Sequence, residues 1–115
     1  MRDRFIDADE IKFTDDALKK AAGIVAQFIK RQIEEGVDSS GSRFPPGVDL
    51  IASGALLASI EGTVDSGKIE IVCTVPYAPH VEARYHFMGV APSNLRALYS
   101  ALEPVLSAGA YYKDQ

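Results

Sequence analysis

The sequence predicts an α+β domain: a long N-terminal helix and a C-terminal helix packed on a small antiparallel sheet built around a central β-hairpin. Three observations lead there. Apolar residues recur at three- and four-residue spacing from Leu18 to Ile33 and again from Leu95 to Leu106. Between these stretches, residues 60–75 alternate apolar and polar side chains about a Ser66-Gly67 pair. The chain has 115 residues, the size of one domain, and its 47% hydrophobic and 24% charged residues are ordinary for a globular protein.

The first helix begins at Thr14. Its hydroxyl suits an N-cap, and Asp15 and Asp16 place negative charge at the positive end of the helix dipole. Leu18, Ala21, Ala22, Val25, Phe28, Ile29, Gln32 and Ile33 form the stripe, with Gln32 as its single polar break. Gly36 is the expected stop. Residues 1–13 precede it as an N-terminal extension. The doublets Lys19-Lys20 and Lys30-Arg31 read as a solvated face.

A long loop follows over 36–52. Its glycines, prolines and serines prevent either regular period. Arg43 and Phe44 are its large side chains in the stretch 36–49, and no Gly-Lys-Ser/Thr marks a phosphate loop. Ser53 is placed to cap a short helical turn burying Leu56 and Leu57. Closing the hairpin at Ser66-Gly67 pairs Val64 with Ile69, Gly62 with Ile71 and Ile60 with Cys73, all on one apolar face. The second helix opens at Pro92. Pro104 should kink it or end it early, and 110–115 read as a loose tail.

Charge and composition narrow the function. The formal net charge of −4 and pI near 5.1 argue against a nucleic-acid binder, which needs a basic patch. The N-terminal stretch MRDRFIDADE is not a secretory signal, and the run from Leu50 to Ile60 is too short to span a bilayer. The single cysteine, Cys73, fits a reducing compartment and a buried position. A soluble, cytoplasmic product is therefore expected, with no membrane partner.

The densest stretch is VPYAPHVEARYHFM, residues 75–88, with both histidines, two tyrosines, Glu82 and Arg84. It reads as a strand end and corner. His80, Glu82 and His86 have the spacing H-x-E-x3-H. An extended chain would put His80 and Glu82 on one face, whereas a helix would turn them roughly 160° apart. Zinc also needs ligands from elsewhere in the fold, and no further His exists to supply them. No G-x-S-x-G is present, and the carboxylate pairs Asp15-Asp16 and Glu34-Glu35 are explained by helix ends. No catalytic, metal or cofactor-binding residue is therefore expected. Tyr77, Tyr85, Phe87 and Met88 crowd the corner, either as an interface or as a cover for the end of the core.

Taken together, SGALLASI at 53–60, the hairpin, YAPHVEARYHFM at 77–88 and the closing helix resemble the small tail-component proteins of tailed bacteriophages. These form the head–tail joining or tail-completion group. The resemblance rests on Ser53, Gly54, Leu56, Ser59 and Ile60, then Tyr77, Ala78, Val81 and Glu82, then Phe87-Met88. The virion-morphogenesis family of Mu-like phages has a related layout. Family members usually carry a glycine and a loop soon after the glutamate, and a proline before the Phe; here Ala83-Arg84-Tyr85 and His86 stand instead.

The resemblance implies a non-enzymatic subunit that forms a homo-oligomeric ring in the virion neck. It would meet the head connector and the tail-tube proteins, first in the host cytoplasm and then in the virion. Tyr77, His80, Glu82, Arg84, Tyr85 and Phe87 are the expected seam residues, with Glu82 reversible in charge without loss of the fold. Two alternatives stand beside it: a small cytoplasmic protein-binding module using its sheet edge, and a metal-dependent hydrolase using His80, Glu82 and His86.

Overall fold

The computed structural model describes residues 11–46 and 54–112. The elements run β1 (Ile11–Phe13), α1 (Asp15–Glu35), α2 (Ala55–Ser59), β2 (Ile60–Asp65), β3 (Lys68–Cys73) and α3 (Ala78–Tyr85). A 3-10 turn (Pro92–Asn94), α4 (Leu95–Ala108) and β4 (Ala110–Tyr112) complete the order. The α+β class holds, with two separate two-stranded antiparallel sheets, β2–β3 and β1–β4.

Helix α1 is the organising element, 21 residues long and so about 31 Å. Both of its ends follow from the sequence. The Ala17 N–H donates to Thr14 Oγ1 at 3.2 Å, and Gly36 closes the helix with φ +79°. One side of α1 lies on the hairpin and another on α4. Small residues set the distance to the sheet. Ala22 is fully buried, and a Cβ on Gly62 would collide with the Ala22 carbonyl. Gly62 is thus glycine because the helix backbone occupies the space of a side chain.

The hairpin register is the predicted one, with Ile60 opposite Cys73, Gly62 opposite Ile71 and Val64 opposite Ile69. Ser66 and Gly67 both have positive φ, at 52° and 78°, as the twist of a two-residue hairpin turn requires. Cys73 is half-buried, and its Sγ lies 3.0 Å from Ser59 Oγ. The core joins Ala26, Ile29 and Ile33 of α1 to Leu56, Ile60, Ala78 and Phe87. Each large side chain there contributes roughly 1.5–3 kcal/mol by leaving water.

Three expectations need correction. The corner at 77–88 is not a strand end: residues Ala78–Tyr85 are helical, with Pro79 tolerated in the first turn, where its missing N–H would have had no partner. Residues 110–112, expected in a loose tail, form β4, paired with β1 from Ile11↔Tyr112 to Phe13↔Ala110. Pro104 does not end α4, which runs on to Ala108. The carbonyl that Pro104 leaves without a helical partner is that of Ser100, an exposed residue open to water. The proposed Ser53 cap lies outside the described residues; Gly54 stands at the N-terminus of α2 with φ +74°.

A candidate subunit-contact corner around helix α3

Two polar side chains shape this corner. Gln32, 1% exposed, reaches from α1 into the segment after α3. Its Nε2 donates to the Gly89 carbonyl at 2.8 Å. Its Oε1 accepts from the Ala91 N–H at 2.7 Å and from Asn94 Nδ2 at 2.9 Å. One buried amide therefore satisfies three partners on a stretch that has no ladder of its own. Glu82 does the equivalent work closer in. Its carboxylate accepts from the Met88 N–H at 3.1 Å, a charge-assisted bond that folds the chain back after α3.

The exit from α3 is tight. His86 caps the helix in the left-handed region, with φ 52° and ψ 55°. Its N–H donates to the Glu82 carbonyl at 2.9 Å, and its own carbonyl accepts from Ser39 N–H at 2.8 Å. The early part of the long loop is thereby fastened to the corner. Within that loop, Asp38 Oδ1 accepts from the Ser40 hydroxyl at 2.7 Å and from the N–H groups of Ser40 and Ser42 at 2.9 and 3.0 Å. The Ser40 hydroxyl bond is the main reason the Asp38 carboxyl titrates below the usual aspartate range; burial opposes it, and the backbone donors of residues 40–42 add smaller effects in the same direction as the hydroxyl. Phe44 meets Tyr85 edge-on, with ring centroids 6.3 Å apart. Residues 47–53 lie outside the described part of the chain.

Helical spacing sorts the six expected seam residues into two groups. Tyr77, His80 and Arg84 lie at i, i+3 and i+7 and share one exposed face. Tyr77 is 43% exposed. The Arg84 guanidinium sits 5.8 Å from the centroid of the Tyr85 ring, within cation–π range. Glu82 and Tyr85 are half-buried, facing Met88 and Phe44. Phe87 is 1% exposed and belongs to the core, with Met88 packed against it. Its side chain is engaged within the monomer, so it leaves the candidate seam.

The helical conformation also separates the potential ligands. His80 and Glu82 point to different sides of α3, and His86 lies past its end. Among the described residues no group of three His, Cys, Asp or Glu side chains is gathered closely enough to hold a metal ion, and no helix is long and apolar enough to cross a membrane.

Sequence reasoning missed the joint role of Gln32 and Asn94. The signal was available in part, because a lone glutamine inside an apolar helical stripe must find buried partners. Comparison with protein-family models, with curated proteins and with solved structures gave no match to this chain.

Proposed function

We propose that the protein is a structural subunit that assembles with copies of itself at the head–tail junction of a tailed bacteriophage or prophage particle. The observation that carries the self-assembly part is the exposed Tyr77–His80–Arg84 face of α3, set on a corner held rigid by Gln32 and Glu82. Tyrosine and arginine on a preorganised surface are the side chains that protein contacts favour. The placement in the phage neck rests on the resemblance of SGALLASI and YAPHVEARYHFM; Ala55–Ile60 of the first form α2 and the start of β2, and the second spans α3 and its exit. Partners in this reading are the head connector and the tail-tube proteins.

In a ring each seam is heterologous, so the α3 face of one copy meets a different surface of the next. Exposed tyrosines on other elements, Tyr99 on α4 and Tyr111 on β4, offer such surfaces. Native mass spectrometry of the untagged chain tests the reading. A closed, metal-free oligomer whose ring mass is lost in Tyr77→Ala or Arg84→Glu, leaving smaller species with unchanged circular dichroism, supports it. A monomer carrying one stoichiometric zinc overturns it in favour of the hydrolase. Oligomers indifferent to both substitutions remove α3 from the seam.

One observation favours a second reading, a module that binds an extended peptide. The β2–β3 hairpin has no third strand beside it among the described residues, and such an edge accepts an added strand. Amide exchange at the hairpin edges, with and without candidate partners, separates this from ring assembly.

A further inference from the structure

Helix α1 carries a second stripe that the fold does not use. Lys20, Gly23, Ile24, Gln27, Phe28 and Arg31 line a groove of about 620 Å³ with Val105 of α4. A neighbouring hollow of about 340 Å³ shares Lys20 and Val105 and extends the groove to Asp16 and Thr14. Ile24 and Phe28 are only half-buried there, and the Arg31 guanidinium lies over the Phe28 ring at 5.8 Å.

Gly23 is the informative residue. It stands near the middle of a long helix, where glycine is the least favourable residue after proline. Nothing among the described residues explains it, since a Cβ at Gly23 would have no neighbour there within 4 Å. Elsewhere this chain uses glycine where another segment comes close: Gly62 admits the α1 backbone at Ala22, and Gly109 admits the side chains of Thr14 and Ala17 at the start of α1. An exposed mid-helix glycine beside half-buried Ile24 and Phe28 marks a close helix crossing.

Charge identifies the helix that crosses. Asp15 and Asp16 precede Gly23 by eight and seven residues, and Lys30 and Arg31 follow it by seven and eight. Lys19 and Lys20 have the neutral Ala26 and Gln27 as their counterparts. Reversing the helix about Gly23 therefore sets Asp16, which lines the groove side, opposite Lys30 at both ends with no like charges opposed, while Asp15 lies toward Lys12 and Leu18 on another side of α1. We infer that the α1/α4 groove takes the α1 helix of a second copy of this chain, antiparallel and crossing at Gly23 on a two-fold axis. The contact is isologous. It uses a different helix from the α3 face and does not depend on the phage assignment.

Charge-swapped pairs test this by sedimentation equilibrium, carried out in an Arg84→Glu background so that the α3 face does not contribute. The parent should sediment as a dimer. Asp15→Lys/Asp16→Lys and Lys30→Glu/Arg31→Glu should each sediment as monomers, since each opposes like charges at both ends. Their equimolar mixture should return to the dimer mass, because both ends are then complementary. Gly23→Leu should stay folded by circular dichroism yet remain monomeric. A parent that is monomeric at its highest soluble concentration overturns the inference and leaves the groove to a different partner. So does a mixture that fails to recover the dimer, or a Gly23→Leu variant that dimerises as well as the parent.

Discussion

Gln32 and Ala91, 59 positions apart in sequence, are joined by a 2.7 Å hydrogen bond from the Ala91 N–H to the Gln32 side-chain oxygen. That oxygen also accepts from Asn94, and the same amide donates to Gly89. The start of α4 is therefore located by a single side chain of α1. Gln32→Ala leaves Gly89 O, Ala91 N and Asn94 Nδ2 without this partner in a buried site. The expected cost is about 2–4 kcal/mol, read as a lower urea midpoint with an unchanged m-value. Asn94→Ala, which removes one of the three bonds, should cost about 1 kcal/mol.

Glycines at 62 and 23 should respond in opposite directions to alanine. Gly62→Ala drives a methyl into the Ala22 backbone and should destabilise by about 1–3 kcal/mol. Gly23→Ala enters open space and should stabilise the dilute monomer by about 1 kcal/mol through helix propensity. Thermal denaturation at low protein concentration reads both.

The α3 exit offers a matched pair. His86 holds a left-handed conformation at φ 52°, and glycine adopts it without the Cβ penalty. His86→Gly should gain up to about 1 kcal/mol. Glu82→Ala deletes the acceptor of the Met88 N–H and should cost about 1–2 kcal/mol, with faster hydrogen exchange at the Met88 amide. Glu82→Gln keeps an acceptor oxygen and should retain much of that protection. Reversing the charge at Glu82 would consequently disturb the corner as well as any seam.

Asp38 gives a pH dependence of known sign. Its carboxyl is held below the ordinary range, chiefly by the Ser40 hydroxyl bond. A carboxyl with a depressed folded-state pKa stabilises the fold above its unfolded pKa. That contribution is lost as pH falls through the folded value, so it disappears only below the ordinary aspartate range. Asp38 is only half-buried, so solvent screens the effect. Ser40→Ala should move the Asp38 titration upward, as read by carboxyl-carbon NMR.

Much of the fold was legible where one local rule and one long-range rule agreed. Thr14 and Gly36 mark α1 because capping needs only those side chains and that backbone freedom. The hairpin was readable pair by pair because Ser66-Gly67 fixed the turn and the alternation fixed the face. Helix α3 was hidden by Pro79, which reads as a breaker unless the helix begins beside it, as it does at Ala78. β4 has three residues and no period to detect; its partner lies about a hundred positions away at Ile11–Phe13. At the corner, the residue types pointed to contact chemistry, but only the helical turn separates the exposed Tyr77, His80 and Arg84 from the inward Glu82, Tyr85 and Phe87.

The pairing of Ile11 with Tyr112 has a practical corollary for handling the molecule. The start of β1 and the end of β4 lie side by side, because antiparallel neighbours are roughly 5 Å apart. Joining them through a short flexible linker and reopening the chain at the exposed Ser66-Gly67 turn would give a circular permutant with the same contacts in a different order. In such a permutant the β2–β3 pairing becomes a contact between chain ends, and the β1–β4 pairing becomes a hairpin.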